Sequence, residues 1–92
     1  MTKLEFFVYE QIKTLVSSYN TVELKATVSL SSFSIEFFVT VDGMKMQCFE
    51  MIDKGMFTEK KFNVVSKSIA NYIRRLPDFN ADGINKYTVV LK

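Results

Sequence analysis

Histidine and tryptophan are absent from these 92 residues, which hold one cysteine, one proline and three glycines. Without histidine the commonest general base is missing, and Cys48 has no imidazole to draw off its proton. A lone cysteine cannot close an internal disulfide, and with no histidine it cannot assemble an ordinary zinc site. The glycines form no phosphate-cradling loop. With proline at position 77 alone and 48% hydrophobic residues, the chain lies well away from disordered or low-complexity composition, and no internal repeat is visible. The opening MTKLEFFVYEQIK meets a charge every few residues, unlike a signal peptide, and no apolar run approaches membrane-spanning length. The expectation is one cytoplasmic domain over residues 1–92, folding on its own core without metal or cofactor.

A net charge of +2 is too small to imply a nucleic-acid partner, yet it is unevenly spread. Residues 1–53 carry four basic and seven acidic groups, net −3, and residues 54–92 carry eight and three, net +5. That division permits an acidic sheet and a basic second helix.

Hydrophobic spacing supplies the elements. Leu4, Phe7, Val8, Ile12, Leu15 and Tyr19 recur at threes and fours, so a helix is expected over Lys3–Tyr19. Phe6, Tyr9 and Val16 widen its apolar side. Strict alternation follows over Thr21–Leu30, then over Phe33–Val41 beyond Ser31-Ser32, and over Met44–Phe49 beyond Asp42-Gly43, a pair that tolerates the positive φ of a tight hairpin. After Ile52 the string DKG breaks the pattern. Thr58 N-caps a second helix whose stripe is Phe62, Val65, Ile69, Tyr72, Ile73 and Leu76, with Phe57 and Phe62 spaced as a hydrophobic staple and Pro77 as the stop. The last strand is Tyr87–Leu91.

Two-residue turns fix register. Around Asp42-Gly43, Val41 faces Met44, Val39 faces Met46 and Phe37 faces Cys48. Around Ser31-Ser32, Leu30 faces Phe33, Val28 faces Ile35, Ala26 faces Phe37 and Leu24 faces Val39. All these pairs are apolar on both sides. The expected fold is α+β in the order α-β-β-β-α-β, a four-stranded antiparallel sheet with two helices on one face and the closing strand at an edge.

Three constellations invite a chemical reading. Asp78-Phe-Asn-Ala-Asp-Gly83 matches the first half of a calcium loop, but its twelfth position is Val89 inside a strand, so the residues read as turn formers and no metal is assigned. Lys60, Lys67 and Arg74 recur every seven residues on the second helix, beside Asn71 and flanked by Lys61 and Arg75, a row that could track phosphates or serve as a solvated, dipole-matched helix back. On the outer sheet face the expected register sets Lys25 opposite Phe38, Phe38 opposite Gln47 and Glu36 opposite Phe49. Two adjacent phenylalanines inside a charged rim have the make-up of a protein-binding patch, unless lysine stems, a chain end or a second copy cover them.

The leading helix, a meander containing Ser34-Ile35-Glu36-Phe37-Phe38, a capped second helix and a closing Tyr87-Thr88-Val89-Val90-Leu91 together resemble small bacterial immunity proteins. The arrangement is similar to YezG-like antitoxins and to immunity proteins of contact-dependent growth inhibition. The resemblance implies tight binding of a cognate toxin domain, often a nuclease, and brings no functional residue with it. The residues themselves put the partner-binding surface at Glu23, Glu36, Asp42, Glu50 and Asp53 around Phe38 and Phe49, with no catalytic residue. The alternatives are a small histidine-free ribonuclease or nucleic-acid binder using Lys60, Lys67, Arg74 and Arg75, and a homodimer joined through the outer sheet face.

Overall fold

The computed structural model describes residues 2–92 and follows the expected α+β plan, with one further short helix. α1 (Lys3–Ile12) begins at Thr2, whose hydroxyl accepts the Glu5 N–H at 3.1 Å while the Glu5 carboxylate accepts the Thr2 N–H at 2.9 Å. These bonds to Thr2 hold the Glu5 carboxyl below its ordinary pKa. α1 stops at Ile12 rather than reaching Tyr19. Its last turn tightens through Thr14 and Leu15 N–H groups reaching back three residues, and the Thr14 hydroxyl takes the Gln11 carbonyl at 2.7 Å. Leu15 and Val16 stay buried outside the helix, whereas Phe6 is exposed.

The sheet order is β3-β2-β1-β4 with antiparallel neighbours, built from β1 (Thr21–Val28), β2 (Phe33–Val41), β3 (Met44–Gln47) and β4 (Asn85–Leu91). Asp42 and Gly43 take φ of 50° and 81°, and Val41 faces Met44 and Val39 faces Met46 as the turn chemistry requires. The first hairpin differs from expectation. Its connection is Ser29–Ser32, so Val28 faces Phe33, Ala26 faces Ile35, Leu24 faces Phe37 and Val22 faces Val39. Each partner moves by two positions, which leaves every side chain on its expected face but sets Glu23, not Lys25, opposite Phe38. The longer loop has its own bonds: the Ser29 hydroxyl pairs with that of Ser32 at 2.8 Å and accepts the Ser32 N–H at 3.1 Å. Leu30 thereby leaves the sheet for solvent.

The second departure begins at Cys48. β3 ends at Gln47, and α2 (Cys48–Asp53) replaces the expected continuation through Phe49, so Phe49 is not a strand partner of Glu36. The Glu50 carboxylate accepts the Gln47 N–H at 3.2 Å and starts the helix. Gly55, at φ 76°, ends it: its N–H reaches the Ile52 carbonyl and the Met56 N–H reaches that of Met51, which is the Schellman arrangement.

α3 (Glu59–Arg74) starts where the cap chemistry puts it, with the Thr58 hydroxyl accepting the Lys61 N–H at 3.1 Å and the Phe57 and Phe62 rings 6.3 Å apart. α1 and α3 pack on the sheet face that carries Val22, Leu24, Ala26, Phe37, Val39, Val89 and Leu91, and Phe7 of α1 stacks on Tyr72 of α3 at 4.2 Å. On the other face of the sheet Lys25, Ser34, Glu36, Lys86, Thr88 and Val90 are exposed. Among the described residues no helix is long and apolar enough to cross a membrane. Ser66 of α3 is buried, and among the described residues its hydroxyl has no hydrogen-bond partner. Ser66→Ala should therefore stabilise the protein by about 1 kcal/mol in chemical denaturation, removing an unpaired hydroxyl and raising helix propensity.

Candidate functional site

Because β3 covers only residues 38–41 of β2, the first five residues of β2 have no strand beside them on that side. α2 turns away there, and a groove of about 510 Å³ opens between the uncovered edge, α2 and the start of α3. β2 supplies Glu36 and Phe38 from its outer face and Ile35 and Phe37 from its inner face. α2 adds Phe49, Ile52 and Asp53, and the first turn of α3 adds Glu59, Phe62 and Asn63. Phe37 and Phe62 form its apolar floor, with ring centroids 5.7 Å apart, and Phe57 backs Phe37 at 6.0 Å.

Glu36, Asp53 and Glu59 bring three carboxylates into the lining, and no lysine or arginine lines it. Among the described residues none of the three forms an ion pair, the recorded pairs being Lys13–Glu10 and Lys25–Glu23. The two phenylalanines of the expected patch differ in exposure. Lys45 sits over the Phe38 ring at 4.8 Å, so a lysine does shield that ring, whereas Phe49 stands 59% exposed on α2. α2 places Phe49 and Asp53 one turn apart on a single helix face.

Of the seven residues expected on the partner surface, Glu36, Phe38, Phe49 and Asp53 meet in this groove. Glu23 lies next to it, across from Phe38, and is paired with Lys25 at 3.9 Å. Glu50 is engaged in capping α2, and Asp42 sits in the distant hairpin turn with its N–H donated to Asn20. Glu59, Phe62 and Asn63 line the groove without having been expected on the partner surface, because they join it only through the packing of α3 beside β2.

Cys48 is the first residue of α2, half-buried at the groove, and its thiol donates to the Phe37 carbonyl at 3.3 Å. Burial pushes the thiol pKa up, so the thiolate needed for nucleophilic attack is disfavoured. The 78–83 segment uses its oxygens on itself. The Asn80 side chain accepts the Asp82 N–H at 3.0 Å, Asp78 accepts the Tyr87 hydroxyl at 3.3 Å, and Asn85 bridges the Asn80 backbone to the Val28 carbonyl. Among the described residues no group of three or more acidic or cysteine side chains is placed to hold a metal ion.

The basic row on α3 loses its last member to the fold. Arg74 donates to the carbonyls of Ser29 at 2.9 Å and Ser32 at 3.1 Å and to Asn71 at 3.0 Å, and it lies 5.7 Å from the Phe33 ring. Arg74 therefore clips the first hairpin loop to α3. Arg74→Ala should destabilise the protein by about 2 kcal/mol in urea titration, with Arg74→Lys recovering only part because an ammonium cannot reproduce the guanidinium fork.

No protein-family model matches the chain, and no match was found among curated proteins or solved structures. What the chain does is therefore read from the groove itself.

Proposed function

We propose that this is an immunity protein, which binds a cognate bacterial toxin domain through the groove beside β2 and neutralises it by protein–protein contact. The observation that carries the reading is the groove's composition: an apolar floor, one widely exposed phenylalanine, three carboxylates without an ion pair and no cation in the lining. A toxin that cuts nucleic acid must present cations to phosphates, and an inhibitor that offers carboxylates in their place meets the surface the toxin cannot change without losing its substrate. Unpaired charge of this kind speeds encounter, and an aromatic anchor that enters a pocket slows release. The lack of histidine and the raised thiol pKa of Cys48 are in keeping with a chain that binds rather than catalyses.

The test is co-expression with the product of the adjacent reading frame in a bacterial host, followed by capture of the complex. The chain should restore growth and co-purify with that product, and Phe49→Ala with Asp53→Lys should lose both. Rescue and capture that survive this pair of substitutions would remove the groove from the function.

A further inference from the structure

The groove contains a second recognition element besides its side chains. Successive residues of an antiparallel strand point their backbone N–H and C=O groups to alternate sides. Phe37 turns its carbonyl toward α2, where the Cys48 thiol meets it, and Val39 and Val41 face β3. By the same alternation Phe33 and Ile35 turn their N–H and C=O groups toward the side where β2 has no strand neighbour. This stretch without a strand neighbour is five residues long, or about 17 Å at the rise of a strand, and of its carbonyls on that side that of Phe37 is already taken by Cys48. It contains neither proline nor lysine, the devices that ordinarily blunt an edge, whereas the outer edge of β4 carries Lys86.

We infer that the edge of β2 over residues 33–37 takes up an additional β-strand, an extended segment of the partner protein with lysine or arginine alternating with apolar residues. The inference rests on the reading of the groove as a protein-binding site and states how that site is filled. An added strand would put alternate side chains on the two faces of the sheet. Those on the inner face meet Ile35 and Phe62, and those on the outer face meet Glu36. Asp53 and Glu59 extend the carboxylate lining beyond the strand itself. Charge also rules on the occupant: a second copy docked edge to edge would bring two sets of three carboxylates together, while a cationic strand neutralises one set.

The test uses the full chain labelled with ¹⁵N and a blocked octapeptide of alternating lysine and valine as probe. Peptide binding should slow amide exchange at Phe33, Ile35 and Phe37 by about tenfold or more. Added salt should weaken the binding. The glutamate–valine counterpart should not bind, nor should a lysine–valine peptide N-methylated at every residue, which has no N–H to donate to a ladder on either edge. Four results would each overturn the inference: binding with those amides unchanged, protection along β4 instead, no binding at millimolar peptide, or protection of the same amides by self-association before peptide is added. The immunity reading is separable. A captured toxin that leaves the three amides exchanging freely removes strand addition alone, and an edge that pairs with the peptide in a chain that rescues no host removes the immunity reading alone.

Discussion

Phe37→Ala should cost the protein about 3–5 kcal/mol, the range for truncating a buried phenylalanine with incomplete collapse around the cavity. Phe37 is 1% exposed, faces Leu24 across the sheet and touches Phe57 and Phe62, which hold the N-terminal end of α3 against β2. Small domains have a net stability of about 5–15 kcal/mol, so this one substitution removes a large share of it. At about 4–8 °C per kcal/mol for a domain of this size, the melting midpoint followed by circular dichroism should fall by roughly 15 °C or more. A loss below about 1 kcal/mol would mean that the aromatic cluster is not packed as described. The effect should reach the groove as well, since Phe37 and Phe62 form its floor. Binding should weaken even under conditions where the variant remains folded.

That coupling between core and groove explains what the sequence could and could not disclose. Local chemistry was legible. Asp42-Gly43 set its hairpin, and Thr58 with Phe57 and Phe62 set the start of α3, because each signal acts over a few residues. The sidedness of β1 and β2 was legible too, yet their register was not. Pairings two residues apart put the same apolar side chains inward, and the choice between them lies with the Ser29–Ser32 bonds and with Arg74, forty-five positions along the chain from Ser29. The strand-to-helix change at Cys48 was hidden because Met44, Met46 and Cys48 continue an alternation while Cys48, Met51 and Ile52 also fit a helical stripe. The arbiter was downstream: Gly55 after Lys54 is a helix terminus, and reading it as one would have recovered α2.

The site followed the same division. Glu36, Phe38, Phe49 and Asp53, grouped in the sequence by composition, do share the groove, although Phe49 and Asp53 reach it from a helix rather than a strand. Asp42 and Glu50 lie outside the groove, each engaged where it stands. The Asp42 backbone turns the hairpin at φ 50° and donates its N–H to Asn20, and the Glu50 carboxylate accepts the Gln47 N–H that starts α2. The groove exists because β3 is shorter than β2, and strand length is a tertiary outcome that depends on what the next residues do.

Phe49→Ala with Asp53→Lys should lower affinity for the proposed toxin partner by at least about a hundredfold, or 2.7 kcal/mol, while leaving the fold intact. Phe49 is already 59% exposed, so its truncation opens no cavity, and among the described residues Asp53 forms no ion pair. The bonds that start and end α2 involve Gln47, Glu50, Gly55 and Met56, and both substitutions leave them in place. The melting midpoint should therefore move by no more than a few degrees. Kinetics should separate the two contributions. Reversing Asp53 alone should reduce the association rate and flatten its salt dependence, because a groove without cations draws its partner by charge. Truncating Phe49 alone should act chiefly on dissociation, because an aromatic anchor contributes once water has left the contact. Val90→Ala, at an exposed position on the opposite edge strand, should change neither rate. Equal losses from Val90→Ala and from the α2 pair would mean that the partner reads the outer sheet face as a whole, and that the gap left by the short third strand has no part in choosing it.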